Sequence, residues 1–173
     1  EPIDSWPLTL PSMLINEGNG MSEMSPGGNR LRFGRYSESG GIYLLTSVTL
    51  DRSPFFGDWR MGRLLVNAFR QAEEERAARS LAWVIMPDHF HWLVELQDAH
   101  LAVLMCKTKS RTVRALNHAT GSHHRLWQKG YHDRAVRREE DLQALARYIV
   151  MNPVRAGLAR RVHDYPLWDA VWI

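Results

Sequence analysis

The stretch PDHFHWLVEL, Pro87 to Leu96, sets two histidines one residue apart at the head of an apolar run. On a β-strand alternate side chains share a face. His89, His91, Leu93 and Glu95 therefore stand on one side, and Phe90, Trp92, Val94 and Leu96 on the other. Twice the strand rise puts the two histidine Cα atoms roughly 7 Å apart, near enough for both imidazoles to converge on one cation. Imidazole is the commonest side chain for binding a transition metal, but a protein-held metal usually needs at least a third ligand. Two solvated histidines on the wet face of a strand would give the same pattern. A hydrolase built on His-x-His-x-His is excluded, because Leu93 stands in the third place.

Two other stretches offer the missing donor. Glu95 shares the histidine face but lies two positions further along, where it also reads as a solvent-facing carboxylate. In RYIVMNP, Tyr148 and Asn152 are four residues apart, so they stack on one face of a helix beside the apolar stripe Leu142, Leu145, Ala146 and Ile149. The carboxamide oxygen of Asn152 can join two imidazoles around a divalent ion, and the phenol of Tyr148 can act as a nucleophile. The same two residues also suit an aromatic at a core edge and the last polar residue before a proline. Tyr131, in a strand or loop without a ligand at helical offset, is the rival nucleophile.

The elements that must carry these groups follow from hydrophobic periodicity. IYLLTSVTL, Ile42 to Leu50, is rich in β-branched and aromatic residues and reads as a first strand. Met61, Leu64, Leu65, Ala68 and Phe69 mark one face of a helix capped by Asp58. Leu81 to Met86 and the His-x-His strand, joined by Pro87-Asp88, form a hairpin. An amphipathic helix runs from Leu101 to about Ala119, a further strand is expected near Leu126 to Tyr131, and EEDLQALARYIVMN makes the last helix, stopped by Pro153. The order β-α-β-β-α-β-α predicts an α+β fold, a ferredoxin-like antiparallel sheet with helices packed on one face. Residues 1 to 29, with four prolines and four glycines, read as a flexible leader in which Met21 is a candidate natural start. Residues 30 to 173 read as one domain.

Charge narrows the partner. Residues 1 to 29 carry four acidic and no basic side chains, whereas Met105 to Arg161 holds thirteen Lys and Arg against four Asp and Glu. Such an excess fits a polyanion, although it also describes a solvated helix surface. Lys107 and Arg111 on the second helix, with Lys129, Arg134 and Arg155 beyond it, are candidate phosphate contacts, and Trp127, Tyr131 and His132 candidate stacking partners for unpaired bases. The single Cys106 excludes an internal disulfide framework and points to a reducing cytosol; no run is long and apolar enough to span a membrane.

PDHFHWLVEL, WQKGYHDRAVR and ARYIVMNPVRAGL, in this order, resemble the REP-associated tyrosine transposases, relatives of the IS200-type single-strand transposases. The resemblance runs from about Arg30 to Trp168. It implies an HUH-type endonuclease fold in which His89 and His91 bind a divalent metal, Mg2+ or Mn2+, and Tyr148 attacks DNA. Asn152 stands where larger insertion-sequence transposases have the glutamine that is their third metal ligand. The resemblance further implies strand cleavage of single-stranded or hairpin-forming repetitive DNA through a 5′-phosphotyrosine, by a monomer or weak homodimer in the bacterial cytoplasm, at the nucleoid. A non-catalytic ferredoxin-like nucleic-acid-binding module would share fold and charge without needing a metal, and a relaxase or replication initiator would use the same histidines and tyrosine.

Overall fold

A computed structural model describes residues 37–123, 125–137 and 141–172. The expected leader, residues 1 to 29, lies outside the described residues, as do Glu139 and Glu140 at the expected start of the last helix. Five strands form one sheet in the order β4-β1-β3-β2-β5: β1 Ile42–Val48, β2 Ala78–Ile85, β3 His89–Leu96, β4 His132–Ala135 and β5 Trp168–Ala170. Every pairing is antiparallel. The helices are α1 Trp59–Glu74, α2 Leu101–Thr120, α3 Leu142–Val150 and the short α4 Asn152–Arg155.

Three boundaries have a clear local cause. The Asp58 carboxylate accepts a hydrogen bond from the Arg60 N–H, capping α1, and Asp141 accepts from the N–H groups of Gln143 and Ala144 at the start of α3. Pro87 and Asp88 turn β2 back into β3, closed by the Met86 N–H donating to the His89 carbonyl at 2.8 Å.

The helices α1 and α2 cover one face of the sheet. Phe90, Trp92, Val94 and Leu96 join Tyr43, Leu45, Trp83 and Ile85 there, under Leu65, Phe69, Leu104 and Met105. Phe69 stacks on Trp92 with ring centroids 4.2 Å apart, and the Trp92 indole N–H, which would otherwise be stranded in this core, donates to Ser80 Oγ at 2.9 Å.

The expectation that all helices share one face is corrected. Leu44, Ala82 and Leu93 are register partners on the opposite face and are buried. Helix α3 packs on β2 and β5 and buries Leu145, Ala146, Ile149 and Val150. The central strand is thus covered on both sides. Its unbroken apolar run Trp92-Leu93-Val94 is the signature of that double burial, which an alternating reading underweights.

Two other elements differ from expectation. The strand expected near Leu126 to Tyr131 forms later, at His132–Ala135. Leu126 and Trp127 instead plug the core, with one isolated bridge from Trp127 to Thr49; their apolarity marked burial, not strand. Strand β5 had no expectation, since three residues are too few for periodicity. It lies on the β2 edge where Leu167 packs against Gly62 so closely that a Cβ there would meet a Leu167 methyl at 2.3 Å.

Candidate functional site

His89 and His91 stand on the face of β3 toward α3, with ring centroids 5.1 Å apart. Each imidazole is held through Nδ1. His89 Nδ1 lies 2.6 Å from Asp88 Oδ1, and Asp88 is in turn paired with the Arg52 guanidinium at 2.8 Å. Burial alone would raise the Asp88 carboxyl, but the hydrogen bond with His89 and the Arg52 charge hold it below the usual aspartate range. An ionised Asp88 can only accept, so His89 donates from Nδ1, which leaves Nε2 as its candidate ligand atom. His91 Nδ1 lies 2.8 Å from Thr46 Oγ1, its register partner on β1. A hydroxyl serves as either partner, which permits Nε2 of His91 to ligate. Carboxylate and hydroxyl partners behind two imidazoles are what a metal site uses to fix ring orientation.

His91 keeps a partly exposed edge, yet the protein packed around the ring, then the nearby His89 and Arg155, push its pKa down to about 3. The imidazole is therefore neutral, the form that binds metal. A sign follows for stability. The unfolded chain takes up the proton near 6.5 and the folded chain only near 3, so this stabilisation is complete above about pH 6.5 and declines as pH falls toward 3. The limiting slope is about 1.4 kcal/mol per pH unit for one proton. Urea unfolding of metal-free protein at pH 7.5 and pH 5 is expected to show lower stability at pH 5, and His91→Gln to reduce the difference.

The other half of the site comes from the end of α3. The expectation of a single helix through Asn152 is corrected: α3 ends at Val150, and Asn152 opens α4. Pro153 has no N–H to give the Ile149 carbonyl, and Asn152 Nδ2 supplies the missing bond at 2.8 Å. Nη2 of Arg155 donates to Asn152 Oδ1 and to the Tyr148 carbonyl, each at 2.8 Å, while the guanidinium lies 3.9 Å from the centroid of the Tyr148 ring. The Arg155 charge is among those that lower His91.

The fold thus gathers Tyr148, Asn152 and Arg155 at the end of α3, the helix that packs on β2 and β5. Glu95 is turned to Arg79, 3.5 Å away on β2. Among the described residues no group of three His, Cys, Asp or Glu is placed to hold a metal; Asn152 offers an amide oxygen. Arg134 lies on β4 opposite Leu44, hence on the histidine face, and Lys129 is exposed in the preceding loop. Lys107 and Arg111 belong to the other layer, where both pair with Glu75. Trp127 is core, packed on Phe56 and Phe90, and Tyr131 is packed against the same core.

Asp88, Thr46 and Arg52 were not foreseen. The one available signal was the Asp88-His89 adjacency; Thr46 and Arg52 are 45 and 36 residues from their partners.

The family model for IS200-like transposases matches residues 39–152, from the turn before β1 through Asn152. The chain belongs to the IS200-like transposases. An Escherichia coli K12 REP-associated tyrosine transposase is 27% identical over 106 residues, covering 60% of this chain and 61% of that one. A Haemophilus influenzae protein assigned to the same group is 27% identical over 143 residues, covering 73% and 78%. A solved structure of a REP-associated tyrosine transposase bound to a REP hairpin is similar at 26% identity, with a TM-score of 0.64, over 79% of this chain and 81% of that one. This IS200-like transposase is therefore an enzyme of the tyrosine transposase kind, with the α+β antiparallel sheet of that neighbour. No described helix is long and apolar enough to cross a membrane.

Proposed function

We propose that this transposase cuts and rejoins single-stranded DNA at hairpin-forming, REP-like repeats, with Tyr148 as the nucleophile and His89, His91 and Asn152 as ligands of a divalent ion, Mg2+ or Mn2+. The observation that carries the reading is the pair of imidazoles on one face of β3, ring centroids 5.1 Å apart and each held through Nδ1, in a chain of the IS200-like family. The donor set fits a borderline or hard cation: two imidazoles whose Nδ1 atoms are already engaged, leaving Nε2 to ligate, and one amide oxygen. The chemistry such an ion supplies is polarisation of the scissile phosphate and neutralisation of the charge that builds on its oxygens.

Tyr148 Oη forms a bond to phosphorus as the bond to the 3′ oxygen breaks, and the phenolic proton ends on the departing 3′ hydroxyl. One phosphoester replaces another, so the phosphotyrosine retains the energy to rejoin a strand without a nucleotide cofactor. The similarity to a hairpin-bound relative supports the substrate class. Incubation with labelled hairpin oligonucleotides and Mn2+ is expected to give a protein-linked DNA band on a denaturing gel, and EDTA to remove it. A band of equal strength in EDTA would overturn the metal assignment.

Lys129, Arg134 and Arg155 are the strand contacts on the side of the histidines. Lys107 and Arg111, tied to Glu75, are reached only by DNA that passes around to the other layer. Salt dependence separates the two groups: Lys129→Ala is expected to lower the slope of log affinity against log salt by about 0.7 to 0.9, one phosphate's worth, and Lys107→Ala to leave it unchanged.

A further inference from the structure

We propose that Arg155 is a positioning residue that latches the resting site, holding the Asn152 oxygen away from metal until a DNA phosphate draws the guanidinium off. The proposal rests on the reading of Asn152 as third ligand. Asn152 is pinned from both ends: Nδ2 to the Ile149 carbonyl left without a helical donor by Pro153, and Oδ1 to Arg155. Turning the amide over would present Nδ2 to the guanidinium and abandon the Ile149 carbonyl, so the oxygen stays directed where it is. That oxygen cannot serve a divalent cation well while a guanidinium donates to it, because the two positive charges would crowd one acceptor.

Arg155 is the movable partner. It is exposed, one of its five N–H donors goes to Asn152 and one to the Tyr148 carbonyl, and neither Nε nor Nη1 bonds another described residue. A planar fork with free donors prefers a phosphate, which it can grip in bidentate fashion, over a neutral amide. A strand entering beside Tyr148 would therefore take Arg155 from Asn152 and complete the metal site in the same movement. Metal binding and strand binding would be coupled, each strengthening the other by the same factor. Arg155 lies beyond the segment matched by the family model, which ends at Asn152.

The test measures Mn2+ affinity by electron paramagnetic resonance, without activity, in the absence and presence of a mixed-sequence single-stranded oligonucleotide. Wild-type protein is expected to bind Mn2+ roughly tenfold more tightly with DNA, within the usual range of such couplings. Arg155→Gln is expected to reach the tighter value without DNA and to lose the coupling. Arg155→Lys, which keeps the charge but not the fork, is expected to behave like Arg155→Gln. In an Asn152→Ala background, its fold checked by thermal melting, Arg155→Gln is expected to bring no gain.

If Arg155→Lys matches wild type, or if the gain persists without Asn152, simple charge repulsion explains the effect and the latch is overturned. If wild-type protein binds no Mn2+ that His91→Ala abolishes, with or without DNA, the metal reading falls and the latch with it. If His91→Ala does abolish binding while Arg155→Gln behaves as wild type, the latch alone falls.

Discussion

Tyr148→Phe is expected to abolish the protein-linked DNA band and to lower strand cleavage by at least about a thousandfold, some 4 kcal/mol of barrier at 1.36 kcal/mol per decade. The reasoning is chemical: without Oη no atom of residue 148 can form the bond to phosphorus. The substitution is also mild in structure. The side chain is partly buried at the end of α3, Arg155 meets the face of its ring and the backbone carbonyl, and phenylalanine keeps both. A loss of activity therefore reports the hydroxyl, provided the melting temperature and hairpin affinity are unchanged. Tyr131→Phe is the companion measurement, and it is expected to leave the adduct intact. An adduct that survives in Tyr148→Phe and disappears in Tyr131→Phe would move the nucleophile to the loop before β4.

His91→Ala is expected to remove metal-dependent cleavage to a similar extent, and with it the measurable binding of Mn2+. Of the two histidines this is the more diagnostic. It sits centrally on the sheet, opposite Thr46 on one side and Val84 on the other. Asp88→Asn should give a graded version of the same loss, about 10- to 100-fold in metal affinity. The amide no longer offers His89 an ionised acceptor, and Arg52 loses its partner. Titration of each variant with Mn2+ distinguishes the outcomes. If cleavage by His91→Ala is restored by high Mn2+, the histidine contributes affinity alone; if His91→Ala binds and cleaves as wild type does, the histidine pair is not a metal site.

The residues proposed to bear the chemistry can be picked out from the chain because they form local patterns. His89 and His91 are two apart on a strand, and Tyr148, Asn152 and Pro153 lie within two helical turns, so short-range geometry already constrains which groups share a face. The strand and helix order was legible for the same reason, since alternation and helical spacing report burial over a few residues. The cap at Asp58 is local too.

Tertiary structure decided the rest. Whether β3 is covered once or twice depends on where α3 packs, some 50 residues later, and only packing assigns Lys107 and Arg111 to the layer away from the histidines. Thr46 comes to His91 by strand pairing and Arg52 to Asp88 by loop folding, contacts that leave no periodic trace. The break after Val150, with the amide of Asn152 standing in for a missing N–H and Arg155 laid over Tyr148, is the sharpest case. The letters RYIVMNPVR place a phenol, an amide and a guanidinium in one neighbourhood. A hydrogen-bond geometry that exists only in the folded chain decides that the guanidinium holds the other two.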